Sequence, residues 1–238
     1  NRFPSASLSF AYIGNRAACV PVDLSIVPVF YNKKMFAENN LTVPQTFEEL
    51  VSICEKLRDK GIEPIALGNA EQWPGCFFYV YGAVRAGGRT LGMSVEANLP
   101  NAFKNAGFVK AGEMVKMMLD KNCFNMGFQG MKDDAARRLL FTGKAAMTIM
   151  GTWMIARAVS EAPEMLDDLG CFPFPAMSDA AMGDNKAVVG GTNCAFAVSA
   201  KCKNPEMAKE LLKYLSDTKF AIEWAATGRM PAVKGAPD

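Results

Sequence analysis

Histidine is absent from the 238 residues. That absence removes serine and cysteine nucleophiles that depend on a histidine base, the usual zinc centres, and the commonest general acid or base near neutral pH. No CxxC spacing occurs, and the seven cysteines (Cys19, Cys54, Cys76, Cys123, Cys171, Cys194, Cys202) are widely scattered. An odd count without short spacing argues against a disulfide framework or a metal site, so buried free thiols are expected, with no metal and no cofactor. No apolar run approaches a membrane span, and no signal peptide is evident. Net charge is only +2, and lysine and arginine form no basic run interleaved with aromatics. Nucleic acid is therefore not an expected partner. P-loop, GxGxxG and GxSxG motifs are missing as well, which leaves no phosphate cradle or nucleophile elbow.

Half of the chain is hydrophobic, ample for a core in one large or two small domains. Its most informative stretch is FTGKAAMTIMGTW, from Phe141 to Trp153. Asp133 and Asp134 precede apolar residues at Ala136, Leu139 and Leu140, as suits the positive end of a short helix that stops at Gly143. Ala145 to Met150 is short, apolar and uncharged, and reads as a strand buried on both faces. Gly151 permits a sharp exit, Thr152 is placed to cap a new helix, and Trp153 falls in its first turn. The competing reading is a core tryptophan. Trp73 lies between Glu71-Gln72 and Pro74-Gly75, a loop feeding a helix. Trp224 shares an apolar stripe with Phe220 and Leu215 and is read as core.

Elsewhere the pattern alternates strands and helices. Ala17 to Val22 and Ile26 to Tyr31 are β-rich and separated by Asp23-Leu24-Ser25. Thr46 and Glu49 form a capping box for a helix that buries Phe47, Leu50, Val51, Cys54 and Leu57 and ends at Gly61. A short strand and turn over 64–68, helices over 77–85 and 100–119, a strand over 169–174 and a polar linker over 178–186 follow. A strand pair near Val188 and over 195–199 then precedes a helix capped by Asn204 with Pro205 at its first position. This alternation predicts an α/β sandwich with ligands at the carboxyl ends of strands.

The ordered set VPVFYNKKMF (27–36), TFEEL (46–50), FTGKAAMTIMGTW, VVGGTNCAFAVS (188–199), NPEMAKELLKYLS (204–216) and TGRMPA (227–232) resembles the extracellular solute-binding proteins of carbohydrate ABC transporters over nearly the whole chain. The resemblance implies a periplasmic-binding-protein-like fold of two α/β lobes. Residues 28–172 would form a nearly complete second lobe, with 1–27 and 176–238 parts of the first, and hinge crossings near 23–28 and 172–176. The opening portion of the first lobe and the final helices of the family are lacking, which places about half of the ligand cleft outside these residues. The implied partners are a carbohydrate and the permease subunits of an ABC importer. The implied location is extracellular or periplasmic, with membrane attachment only through a lipid anchor outside this chain.

A pyranose presents an apolar C–H face and a rim of hydroxyls, so it calls for an aromatic plate and planar polar groups. Burying roughly 100 Å² against an indole contributes on the order of 2.5 kcal/mol, whereas a micromolar complex needs about 8 kcal/mol. One tryptophan cannot suffice. The family places a stacking aromatic where Trp153 stands and a second where Trp73 stands, with Glu71 or Gln72 toward hydroxyls. Gly190 and Gly191 match a strand end where backbone approaches ligand, with Thr192 and Asn193 as donors; a β-bulge is the alternative. Arg229 is a candidate for a hydroxyl or carboxylate, or a solvated helix-end arginine. Asp23 is a candidate from the crossing segment, or a turn cap. Other classes stay open: a glycoside-active enzyme, for which Glu71 and Asp23 are loop acids that no motif pairs, and a sensor that reuses the binding fold.

Overall fold

The computed structural model describes residues 2–8, 11–178 and 183–235. Of the linker expected over 178–186, residues 179–182 lie outside the described residues. In chain order the principal elements are β1 (Val20–Ile26), β2 (Val29–Asn32), α1 (Lys33–Glu38), α2 (Phe47–Asp59), β3 (Glu63–Ala66), α3 (Trp73–Gly87), α4 (Ala106–Asp120) and α5 (Asp133–Phe141). They continue as β4 (Ala145–Ile149), α6 (Trp153–Glu161), β5 (Leu169–Phe172), β6 (Gly190–Phe196), α7 (Pro205–Leu215), α8 (Thr218–Ala225) and β7 (Met230–Pro231). The class is α/β, as expected. No described helix is long and apolar enough to cross a membrane.

The chain divides into two compact units. One comprises 1–26, 151–163 and 190–238, and the other 27–150 and 164–189. Residues 151–163 fall in the same compact unit as the terminal segments, and 176–189 in the larger unit. The last change of unit along the chain lies at 189/190.

The larger unit is built on a four-stranded sheet in the order β3-β4-β2-β5. β3 runs parallel to β4, while β2 is antiparallel to both of its neighbours. Every residue of β4 is buried, which explains its mostly apolar sequence even though the sheet is mixed, and its one polar side chain, Thr148, donates to Ala66 O at 2.8 Å. The capping box at the start of α2 forms as expected: Glu49 N–H donates to Thr46 Oγ1 at 3.2 Å, and Thr46 N–H donates to Glu49 Oε2 at 3.2 Å. That helix buries Leu50, Cys54 and Leu57 against Ile65, Met147 and Phe78. Gly61 (φ +74°) follows it and Gly143 (φ +66°) follows α5, both in the left-handed region that ends a helix. α3 and α4 approach backbone to backbone, since a Cβ on Gly107 would lie 2.9 Å from Gly87 Cα.

The smaller unit carries a three-stranded antiparallel sheet, β6-β1-β7. The expected break at Asp23-Leu24-Ser25 is instead the middle of β1, and the strand ends at Ile26 before Val27-Pro28. Asp23 suggested a turn because a lone carboxylate is costly inside a strand; here a distant partner neutralises it. Pro21 is tolerated in this central strand because β7 pairs only with Asp23 and Leu24, which leaves the Pro21 position open on that side. In place of a strand pair at Val188 and 195–199 there is one strand, β6. α7 is capped as expected, with Met207 N–H donating to Asn204 Oδ1 at 3.3 Å.

Candidate functional site

The sequence-derived candidates fall into two groups, one on each unit. On the larger unit, β3 leads into a loop at Gly68 to Gln72 and then into α3. The loop is fixed by its backbone: Asn69 N–H donates to Phe128 O at 2.8 Å and Ala70 N–H to Met131 O at 3.0 Å. Gly68 has no room for a side chain, because a Cβ there would strike the Lys132 carbonyl. Asn69 Oδ1 accepts from Gly75 N–H at 3.0 Å and satisfies a free donor of the first helical turn. Gln72 adopts φ +64°, a left-handed conformation uncommon outside glycine and asparagine, so the turn is held under strain. Trp73 is the first residue of α3, is 38% exposed, and meets Phe77 edge-on at 5.8 Å. Glu71 is exposed beside it. The same loop borders a cavity of about 330 Å³ lined by Asn69, Gln72, Tyr79, Phe128 and Gln129 among others. This mixture of amides and ring faces suits a ligand that is part polar and part apolar.

Asp133, whose backbone nitrogen would lie 2.7 Å from a Cβ on Gly68 in this loop, forms an ion pair with Arg137 at 2.8 Å. Burial pushes its carboxyl above the ordinary value of 3.8, against the pull of Arg137 and with a smaller push from Glu71.

On the smaller unit, Trp153 opens α6 and is half-buried. Its six-membered ring occupies the space a Cβ on Gly151 would need. Gly151 is therefore required by the indole as much as by the chain reversal. Thr152 does not cap α6: it has helical φ and ψ, and its hydroxyl donates to Met230 Sδ at 3.4 Å. Its backbone N–H donates to Ile26 O at 2.9 Å, which ties the start of α6 to the end of β1.

Asp23, Asn193 and Arg229 converge. Asp23 Oδ2 accepts from Asn193 Nδ2 at 3.0 Å and from Arg229 Nη1 at 3.2 Å. The Asp23 side chain is 2% exposed and that of Arg229 29%. The guanidinium also lies over the Trp224 ring at 5.4 Å, and Trp224 stacks on Phe220 at 5.5 Å. Trp224, read as core, is half-buried, and its Nε1 is buried without a hydrogen-bond partner. Asn193 is positioned by an irregularity in the ladder, where Asp23 pairs with Cys194 but Leu24 pairs with Thr192. Val22 is likewise passed over between the Pro21–Ala195 and Asp23–Cys194 pairs, so the ladder is irregular at Val22 and at Asn193 and not at the glycine pair. Gly190 packs so closely on β1 that a Cβ would strike Ser25 O, and Gly191 adopts φ +148°, a region almost reserved for glycine. Both glycines are exposed, while Thr192 Oγ1 donates to Ser7 O at 3.2 Å.

The Asp23–Arg229 pair spans 206 residues, and no local signal joined them. The hydrogen bonds of Tyr81 to Val27 O and of Arg85 to the carbonyls of Phe174, Pro175, Asp184 and Ala187 were likewise not legible in the sequence. Of the seven cysteines only Cys54 and Cys123 are buried, whereas Cys76 and Cys171 are exposed, so the expectation of buried thiols holds for one pair. Among the described residues no cluster of three or more cysteine or acidic side chains could hold a metal ion.

The fold of this chain, with its two compact units, recurs in many solved structures. The chain belongs to the bacterial extracellular solute-binding protein family, whose model matches residues 3–221. A multiple sugar-binding protein of Streptococcus mutans is 26% identical over 232 residues, covering 94% of this chain and 53% of that protein. A galactooligosaccharide-binding protein of Bacillus subtilis is 26% identical over 241 residues, covering 98% of this chain and 53% of that protein. A solved structure from work on xylan utilization by the thermophilic bacterium Caldanaerobius polysaccharolyticus superimposes with a TM-score of 0.88 at 29% identity, covering 98% of this chain and 59% of that one. The chain spans about half the length of the curated relatives it matches. The periplasmic-binding-protein-like fold expected from the motif order is the fold observed.

Proposed function

We propose that this chain is part of a protein that binds an extracellular carbohydrate and delivers it to the permease of an ABC importer, without turning it over. The observation that carries this reading is the family match over residues 3–221 joined to two tryptophans that each open a helix after a strand, Trp73 after β3 and Trp153 after β4. The sugar-binding names of the relatives support a carbohydrate as the ligand class.

In this reading Trp153 is the main stacking plate and Trp73 the second, with Glu71 accepting from sugar hydroxyls. The exposed Gly190-Gly191 strand end offers backbone groups, and Thr192 and Asn193 border it. Asp23 and Arg229 act chiefly on one another and support the strand that carries Asn193. Location outside the membrane follows from the family, and attachment by a lipid anchor belongs to the same proposal.

The test is tryptophan fluorescence of this chain with its natural flanking sequence, titrated with mono- and oligosaccharides. Saturable change at micromolar sugar, with intact sugar recovered, is expected. A glycoside cleaved during the titration would replace this reading with that of an enzyme, and no response across the panel would remove carbohydrate as the ligand class.

A further inference from the structure

Cys54 on α2 and Cys123, three residues past the end of α4, are both fully buried and belong to the same hydrophobic core of the larger unit. Among the described residues no other cysteine belongs to that core, and the function proposed above uses neither thiol. The two are far apart in the chain, and the fold brings them together from both sides. Lys121 Nζ lies 2.7 Å from Oε1 of Glu55, the neighbour of Cys54. One turn along α2 from Cys54, Arg58 donates to Asn122 O at 2.9 Å and to Phe124 O at 2.7 Å, the two carbonyls that flank Cys123.

The backbone of Cys123 is fixed as well. Its carbonyl accepts from Ile65 N–H in β3 at 3.1 Å, and its N–H donates to Met118 O in α4 at 2.9 Å. Its side chain is thereby held against α2, where the two thiols form a hydrogen-bonded pair. Both are free thiols in this structure. A single buried cysteine packs as a small hydrophobe, whereas two held side by side can be joined once their sulfurs close to about 2.05 Å, with little change in the space they fill.

We propose that Cys54 and Cys123 are a modification site, which a low-molecular-weight disulfide converts to a disulfide bond that ties α2 to the turn after α4. One protein thiol gives up its proton and its sulfur attacks the donor disulfide, which forms a mixed disulfide and releases one donor thiolate to take up that proton. The second protein thiol, deprotonated in turn, displaces the other donor thiolate from the first sulfur. Two protein thiols are oxidised, and one donor disulfide is reduced to two thiols. The hydrogen bond to Cys123 and burial push the Cys54 thiol well up, and neither sulfur is reachable in the native fold, so exchange belongs to the partly folded chain. Once the chain has folded, the same burial shields the bond from reducing thiols. Oxidising conditions outside the cell favour this product. The assignment does not depend on the ligand being a carbohydrate.

The test dilutes the reduced full chain from urea into buffer containing reduced and oxidised glutathione, blocks the remaining thiols with iodoacetamide and maps the peptides by mass spectrometry. The expected product is a linked pair of peptides carrying Cys54 and Cys123, with Cys76 and Cys171 blocked or joined to glutathione. Closing a loop of about 70 residues should raise the urea midpoint of the oxidised chain above that of the reduced chain by roughly 1–2 M. Cys123→Ala should abolish both the linked peptides and the rise. Comparing oxidised with reduced parent needs no substitution, so it decides the question even where the variant fails to fold. Cys54 and Cys123 recovered unlinked, either one paired with a different cysteine, or an oxidised chain no more stable than the reduced one would each overturn the assignment.

Discussion

Replacing Arg229 with alanine tests whether the Asp23 cluster is a structural support. The carboxylate of Asp23 is 2% exposed and has two donors, Arg229 at 3.2 Å and Asn193 at 3.0 Å. Removing one partner of a buried pair costs about 3–5 kcal/mol, because the other charge stays desolvated. Asn193 still donates, and water can enter where the guanidinium was, so the lower end applies and Arg229→Ala should cost about 3 kcal/mol. The reverse change is milder. Asp23→Ala leaves an arginine that is 29% exposed and lies over Trp224, and it can turn to solvent. Its cost should be about 1–2 kcal/mol, mainly the lost charged hydrogen bonds. The double variant should be less destabilised than the sum, with a coupling of about 1–3 kcal/mol. Urea unfolding followed by tryptophan fluorescence measures all three. Equal costs for the two single variants, or strict additivity, would refute the asymmetry argued from burial.

Gly151→Ala places a methyl where the Trp153 ring lies and should cost about 1–3 kcal/mol, with a shifted emission maximum for Trp153; parent-like stability and emission would count against the close packing. Trp153→Ala in the protein with its natural flanking sequence should weaken sugar binding roughly 70-fold, which corresponds to losing ~2.5 kcal/mol, and an affinity within twofold of the parent would remove Trp153 from the site. Iodoacetamide should label Cys76 and Cys171 in the native chain but leave Cys54 and Cys123 untouched until denaturant is added, since both are buried and the Cys54 thiol is held protonated by its hydrogen bond to Cys123 and by burial. Asp133 should titrate above 3.8 by carbon-detected NMR. Because its folded value is raised, the folded state binds the extra proton, so its contribution to stability falls as pH rises through the window just above 3.8; a value at or below 3.8 would show that Arg137 outweighs burial.

Where a feature depended on residues a few positions apart, the sequence determined it. Thr46 and Glu49 lie within one turn, so their capping box was legible, as were Asn204 with Pro205, the stop at Gly143 and the buried strand after it. The approach of Trp153 to a glycine was also local, although Thr152 did not cap the helix because its hydroxyl found Met230 instead. The candidate site was legible only as a set of residue types. Asp23 suggested a turn until Arg229, distant in the chain, neutralised it inside a strand. Tyr81 and Arg85 looked like ordinary positions on a core helix until the fold brought Val27, Val189 and four carbonyls to them. Hydrophobic period and capping chemistry are written in neighbouring residues. The partner of a buried polar group is chosen by chain closure over tens to hundreds of residues, and only the tertiary structure decides it.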